Sequence, residues 1–152
     1  MSWRTITTTD VEAELAPQEV SSINAIRGNA TDLAGILSKV VRKVRSQIKA
    51  GGNQLDQTGD TIPDSLVEEV IAIARWKWLN LPGLERFKTK ERKDAADNAE
   101  ATLKEISSNK PDRPRVELPE VPDTTPAPVS AVTTPRRGRH IRSGSFEKMG
   151  AT

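Results

Sequence analysis

Leu33-Ala34-Gly35-Ile36-Leu37-Ser38-Lys39-Val40-Val41-Arg42-Lys43-Val44-Arg45-Ser46-Gln47-Ile48 is the stretch that decides the fold. Its apolar residues, Leu33, Ile36, Leu37, Val40, Val41, Val44 and Ile48, follow one another at offsets of 3, 4, 7, 8, 11 and 15. That spacing makes one stripe along a 3.6-residue helix and does not fit the period of two of a strand. Asn29 is the expected N-cap, with Asp32 three residues on, and Gly51-Gly52 closes the helix. Twenty residues of helix make a rod of about 30 Å.

Two short helices are expected upstream. Thr9-Asp10 can cap one running through Leu15, and Pro17 can open another to about Arg27 before Gly28 and Asn29 break the chain. Downstream, residues 51–62 are polar, contain three glycines and lack periodicity, which predicts a projecting loop. Thr61-Ile62-Pro63-Asp64 has the form of a helix start, and a second long helix is expected from there to about Leu79. Leu66, Val67, Val70, Ile71, Ile73, Ala74 and Trp78 cover more than half its circumference, so this helix is central in a bundle. Leu81-Pro82-Gly83 stops it.

A last helix is expected from Thr89 to Ser108. Its inward face is Ala95, Ala96, Ala99, Leu103 and Ile106. Alanine buries little area but allows close approach to a larger neighbour. All β-branched residues of residues 1–110 sit at helical spacing, so no strand is expected there.

The remaining sequence changes character. Of ten prolines in 152 residues, seven lie between Pro111 and Pro135. The expectation is therefore an all-α body, residues 1–110, with a long extended Pro-rich C-terminal arm, residues 111–152. The body carries 16 Lys/Arg and 16 Asp/Glu and is neutral; the excess positive charge lies after residue 131. No apolar run approaches the ~20 residues of a membrane span, so no membrane role is expected. Met1-Ser2-Trp3-Arg4-Thr5 shows no signal-peptide core, which makes the cytosol the default.

Catalysis is not expected, and neither is a cofactor or a metal. There is no cysteine and a single histidine, His140, so thiolate and two-His metal sites are excluded. No phosphate loop or nucleophile motif appears. Glu68 and Glu69 are adjacent on a helix and point about 100° apart, which prevents their acting as a pair.

Three features can carry binding. The first is the basic face of the helix spanning 31–50: Lys39, Arg42, Lys43, Arg45 and Lys49, with no acid after Asp32. It suits phosphate contacts, a solvated helix end or an acidic protein surface. No aromatic residue interleaves with it for base stacking. The second is the basic run Arg136, Arg137, Arg139, His140, Ile141 and Arg142, which suits nucleic acid, an address, an acidic groove of a protein or a merely solubilising chain end; Phe146 and Met149 follow it, and an isolated Phe146 there is an anchor pattern that argues against the last of these. The third is the tryptophans. Trp76 and Trp78 read as core, and Trp3 as a staple of the N-terminus to the bundle or to a neighbour.

The order of elements resembles the head-completion, or head–tail connector, proteins of tailed bacteriophages. The residues carrying the resemblance are the short capped helix Thr8-Thr9-Asp10-Val11-Glu12-Ala13-Glu14-Leu15, the long amphipathic helix and its polar Gly-rich loop. Ile62-Pro63-Asp64-Ser65-Leu66 then leads into Ile71-Ala72-Ile73-Ala74-Arg75-Trp76, and Leu81-Pro82-Gly83 and Glu91-Arg92-Lys93-Asp94-Ala95 follow. It covers residues 5–110. It implies a structural virion protein that forms a homo-oligomeric ring, commonly of twelve subunits, beneath the portal protein at the virion neck. Such a protein is made in the host bacterial cytoplasm. The ring would extend the channel for genomic DNA, seat a stopper or tail-completion protein, and send its arm onto the portal. On that basis Asn53, Gln54, Asp56 and Asp60 form a tail-side loop and the basic helix face lines the channel. The alternatives are a small nucleic-acid-binding or regulatory protein using the basic helix and arm, or a different neck or capsid-vertex protein such as a stopper or decoration subunit.

Overall fold

The computed structural model describes residues 2–28, 31–108, 110–112, 114 and 116–119. They belong to one compact unit, and residues 120–152 lie outside the described residues.

The chain is mostly helical: a strand β1 (Trp3–Thr5), helices α1 (Thr8–Glu12), α2 (Pro17–Arg27) and α3 (Thr31–Ala50), a strand β2 (Thr61–Pro63), then α4 (Val67–Leu79) and α5 (Lys90–Ser107). The periodicity of the decisive stretch is realised in α3. Leu33, Leu37, Val40, Val41, Val44 and Ile48 are all buried and Ile36 packs against the same core. α4 packs against both α3 and α5 and also meets α1. It buries Val67, Val70, Ile71, Ile73, Ala74, Trp78 and Leu79, which makes it the central helix. α5 lays Ala96, Ala99, Leu103 and Ile106 inward, and the small residues let it come close to the bulkier α4.

The termini of these helices follow local chemistry. Thr7 caps α1, and the Asp10 carboxylate accepts from both the backbone N–H and the hydroxyl of Thr7, at 2.7 and 2.9 Å. The expected cap, Thr9-Asp10, is therefore two residues late, and residues 13–15 form a turn rather than more helix. Pro17 opens α2, and Gly28 ends it with φ +77°, a conformation that costs a residue with a side chain about 1–2 kcal/mol. Thr89 caps α5 by accepting from the Arg92 N–H. Asn29, the expected cap of α3, lies outside the described residues.

Two expectations are corrected. The body does contain strands: β1 and β2 form a short antiparallel ribbon in the register Trp3↔Pro63, Arg4↔Ile62, Thr5↔Thr61. Thr61-Ile62-Pro63 is thus extended rather than the start of a helix. Proline disfavours the helical region for the residue before it, and Pro63 itself has ψ 139°. A 3-10 turn, Asp64–Leu66, intervenes before α4 begins. The Asp64 carboxylate instead accepts from the Ser2 hydroxyl at 2.8 Å and lies 3.8 Å from Arg4, tying down the first residues.

After α5 the chain stays on the body for some way beyond residue 110. Val116 is buried in the common core and the Glu117 carbonyl accepts from Trp3 Nε1 at 3.3 Å. Trp3 thereby acts as the expected staple, holding the two ends of the described chain together. Elsewhere Arg92 joins α5 to α2, bonding both carboxylate oxygens of Glu19 (2.8 and 3.1 Å) and the Phe87 carbonyl (2.7 Å).

Candidate functional site

The five cations singled out on α3 do not form one surface. Lys39, Arg42 and Lys49 are exposed and stand three and seven residues apart, on one side of the helix. Lys43 is exposed but paired with Glu100 of α5 at 3.3 Å. Arg45 is buried, with 9% of its surface accessible, and is removed from the expected basic face. The cause is geometric. Arg45 lies four residues after Val41 and three before Ile48, so its Cα borders the apolar stripe and its side chain starts from the buried side. The spacing places Arg45 at the edge of the stripe; its partners at Thr61 and Asp56 decide that the guanidinium turns inward.

Arg45 is held by three oxygens and an aromatic face. Its Nη1 donates to the Thr61 carbonyl at 2.6 Å and to the Thr61 hydroxyl at 3.2 Å, and its Nη2 donates to the Asp56 carbonyl at 2.7 Å. The guanidinium lies 5.7 Å from the centroid of the Trp3 ring, within the range of cation–π attraction. The Thr61 hydroxyl has the Asp56 carboxylate at 2.8 Å and the Thr58 carbonyl at 3.1 Å, and its one proton serves one of them at a time.

This arrangement also redefines the expected tail-side loop. Asp56 is half-buried and bonded to Thr61 and Arg45, and Asn53 Nδ2 donates back to the Ile48 carbonyl at 3.4 Å. Both are framework residues. Gln54 and Asp60 are the exposed members of the set. Asp60 stands at the edge of an open groove of about 300 Å³ floored by Ile6, Leu37 and Val41 and rimmed by Thr5 and Thr7. At the start of the loop, Gly51 sits against α5 so closely that an added Cβ would collide with the Ile106 carbonyl. Gly52 follows at φ +78°, and the Asn53 N–H reaches back to the Ile48 carbonyl to close the end of α3.

Trp78 is fully buried, as read from the sequence, and Trp76 is half-buried. Glu68 is exposed and Glu69 half-buried beside the alanines Ala72, Ala95 and Ala99, where α4 and α5 leave a shallow groove of about 220 Å³. Arg75 lines a neighbouring hollow. Burial first, and then the charge of Arg92, lowers its pKa from the usual guanidinium value, while Glu14, 3.8 Å away, and Glu19 oppose the shift. The hydrogen bonds from Arg92 hold the Glu19 carboxyl below its ordinary range. Among the described residues no group of three His, Asp or Glu is placed to hold a metal, and no helix is long and apolar enough to cross a membrane. The arm residues Arg136, Arg137, Arg139, His140, Ile141, Arg142, Phe146 and Met149 lie outside the described residues.

Comparison with protein-family models, with curated proteins and with solved structures finds no match to this chain.

Proposed function

We propose that the chain is a non-catalytic structural protein of a tailed-phage neck, a head–tail adaptor that assembles as a ring beneath the portal protein. The observation that carries this is the order and form of the elements. A short capped N-terminal helix comes first, and a long amphipathic helix, a polar loop, a central helix and an alanine-faced helix follow in that order. This is the succession on which the resemblance to head–tail connectors rests. Supporting it, Lys39, Arg42 and Lys49 stand exposed in a row on α3, a sequence-independent surface suited to passing DNA. The basic segment Arg136 to Arg142 with Phe146 supplies a docking element for the portal, and ring symmetry multiplies each weak contact.

Electron microscopy of assembled particles tests the assignment directly: density for the protein should form a ring at the portal vertex. Deleting residues 136–152 should leave a folded body and abolish assembly onto portal. Normal portal binding by that truncated protein would overturn the role given to the arm.

The same exposed cations favour one alternative, a small nucleic-acid-binding or regulatory protein. Salt separates the two. A phosphate binder holds duplex DNA as an isolated monomer, with log K falling by about 0.9 per log unit of salt for each phosphate contacted. An adaptor monomer with three exposed cations in a row shows little DNA affinity alone, and its channel face matters only in the ring.

A further inference from the structure

Four segments far apart in sequence converge on Trp3 and Arg45. Val116 is buried in the core and positions Glu117, whose carbonyl accepts from Trp3 Nε1. The Trp3 ring lies beside the Arg45 guanidinium. Arg45 in turn directs one Nη to Thr61 and the other to Asp56. A guanidinium is planar and its donors diverge at fixed angles, so its orientation sets both contacts together.

We propose that Trp3 and Arg45 form a latch through which docking of residues 116–119 orders the loop 53–60. The placement of the groups gives the latch its direction. Among residues 116–119 only Val116 is buried; Leu118 is 70% exposed. This strap is therefore the weakest attachment in the chain of contacts and the first to open. When it leaves, Trp3 loses its hydrogen-bond acceptor, and with it the tie that holds its ring beside Arg45. Arg45 then loses the surface that excludes water from it. Its oxygen partners are carbonyls and a hydroxyl, which water can replace without separating an ion pair. The loop carbonyl of Asp56 is released with it. The sequence continues from residue 119 directly into the Pro-rich segment, so an event that engages that segment acts on the strap before anything else in the body. This coupling holds whatever the C-terminal segment binds.

Hydrogen exchange of the full-length protein tests the latch. Val116→Asp should undock the strap and speed exchange of the amides of residues 56–61 by about tenfold or more, while α4 stays within about twofold of the unmodified protein. Trp3→Phe keeps a ring over Arg45 but removes the Nε1 donor; it should loosen the strap and the loop together, by a smaller factor, and it remains informative if Val116→Asp does not fold. In an Arg45→Met background Val116→Asp should add nothing further in the loop, because the connection is already cut. Fast exchange at residues 116–118 with an unchanged loop overturns the proposal. A rise of equal size in the loop and in α4 overturns it too, since that is loss of global stability rather than coupling.

Discussion

The bundle of α3, α4 and α5 and the flank built from β1, β2, the 53–60 loop and residues 116–119 are held together by different physics. The bundle is regular. Its apolar residues recur at helical spacing and bury large side chains such as Trp78, Leu103 and Ile106. The flank has two strands of three residues each, Ile62 of β2 in the common core and, among the described residues after α5, one buried valine. It is organised by directional contacts to a single buried cation. Dense non-directional packing tolerates small errors of position and yields most of the stability. A guanidinium satisfied by fixed carbonyls fixes where loops go but adds less. The difference predicts that damage to the bundle unfolds the protein, whereas damage to the flank reshapes it locally.

The largest effect should come from the bundle. Trp78→Ala empties the core at the C-terminal end of α4 and should cost about 3–5 kcal/mol, read as loss of the cooperative denaturant transition at mild concentrations. Gly51→Ala tests how closely α3 and α5 approach. The new Cβ meets backbone, the Ile106 carbonyl, which cannot rotate aside, so a loss of about 2–3 kcal/mol is expected in chemical denaturation. Arg45→Met should cost about 2 kcal/mol and confine its rise in hydrogen exchange to the flank. A uniform rise across α3 to α5 would erase the distinction between the two regions.

Smaller effects probe the ties at the edge. Glu19→Gln weakens the bond to Arg92 and should cost about 1 kcal/mol in thermal or denaturant unfolding. The pH dependence follows from the same pair. The Arg92 guanidinium holds the folded Glu19 carboxyl below its ordinary value of 4.5, so its contribution is present above that pH and is lost as pH falls through the lower, folded value. The melting temperature should therefore drop below about pH 4.5 more steeply in the unmodified protein than in Glu19→Gln. Least of all, replacing Lys39 and Arg42 by glutamate should change stability by no more than about 0.5 kcal/mol, because both are exposed. A large loss there would mean that the row of cations has partners within the body.

The helices were legible because each is specified by its neighbours in sequence. Leu33 to Ile48 states its own period, Pro17 and Gly28 mark the two ends of α2, and the alanines of α5 announce close packing. Trp78 as core and Trp3 as a staple could also be read. The ribbon could not, since three residues are too few to display a period of two, and the helix-start pattern of Thr61-Ile62-Pro63-Asp64 is overridden by Pro63 and by pairing with β1. The candidate site divides in the same way. Lys39, Arg42 and Lys49 stand exposed as expected, while Lys43 is spoken for by Glu100 on another helix.

What the sequence determined by itself is therefore the helical class, the order of the helices, the central place of α4 and the separation of a neutral body from a Pro-rich, basic C-terminal segment. These depend on composition and on contacts within a few residues, where periodicity and capping act. Only the tertiary structure decided that Arg45 belongs to the interior, that Asp56 and Asn53 are framework, that Gly51 is required by a carbonyl 55 residues away, and that Val116 returns to the core. Each of those depends on two segments meeting in space, and a guanidinium carries the same charge in the sequence whether water or three oxygens and an indole ring surround it.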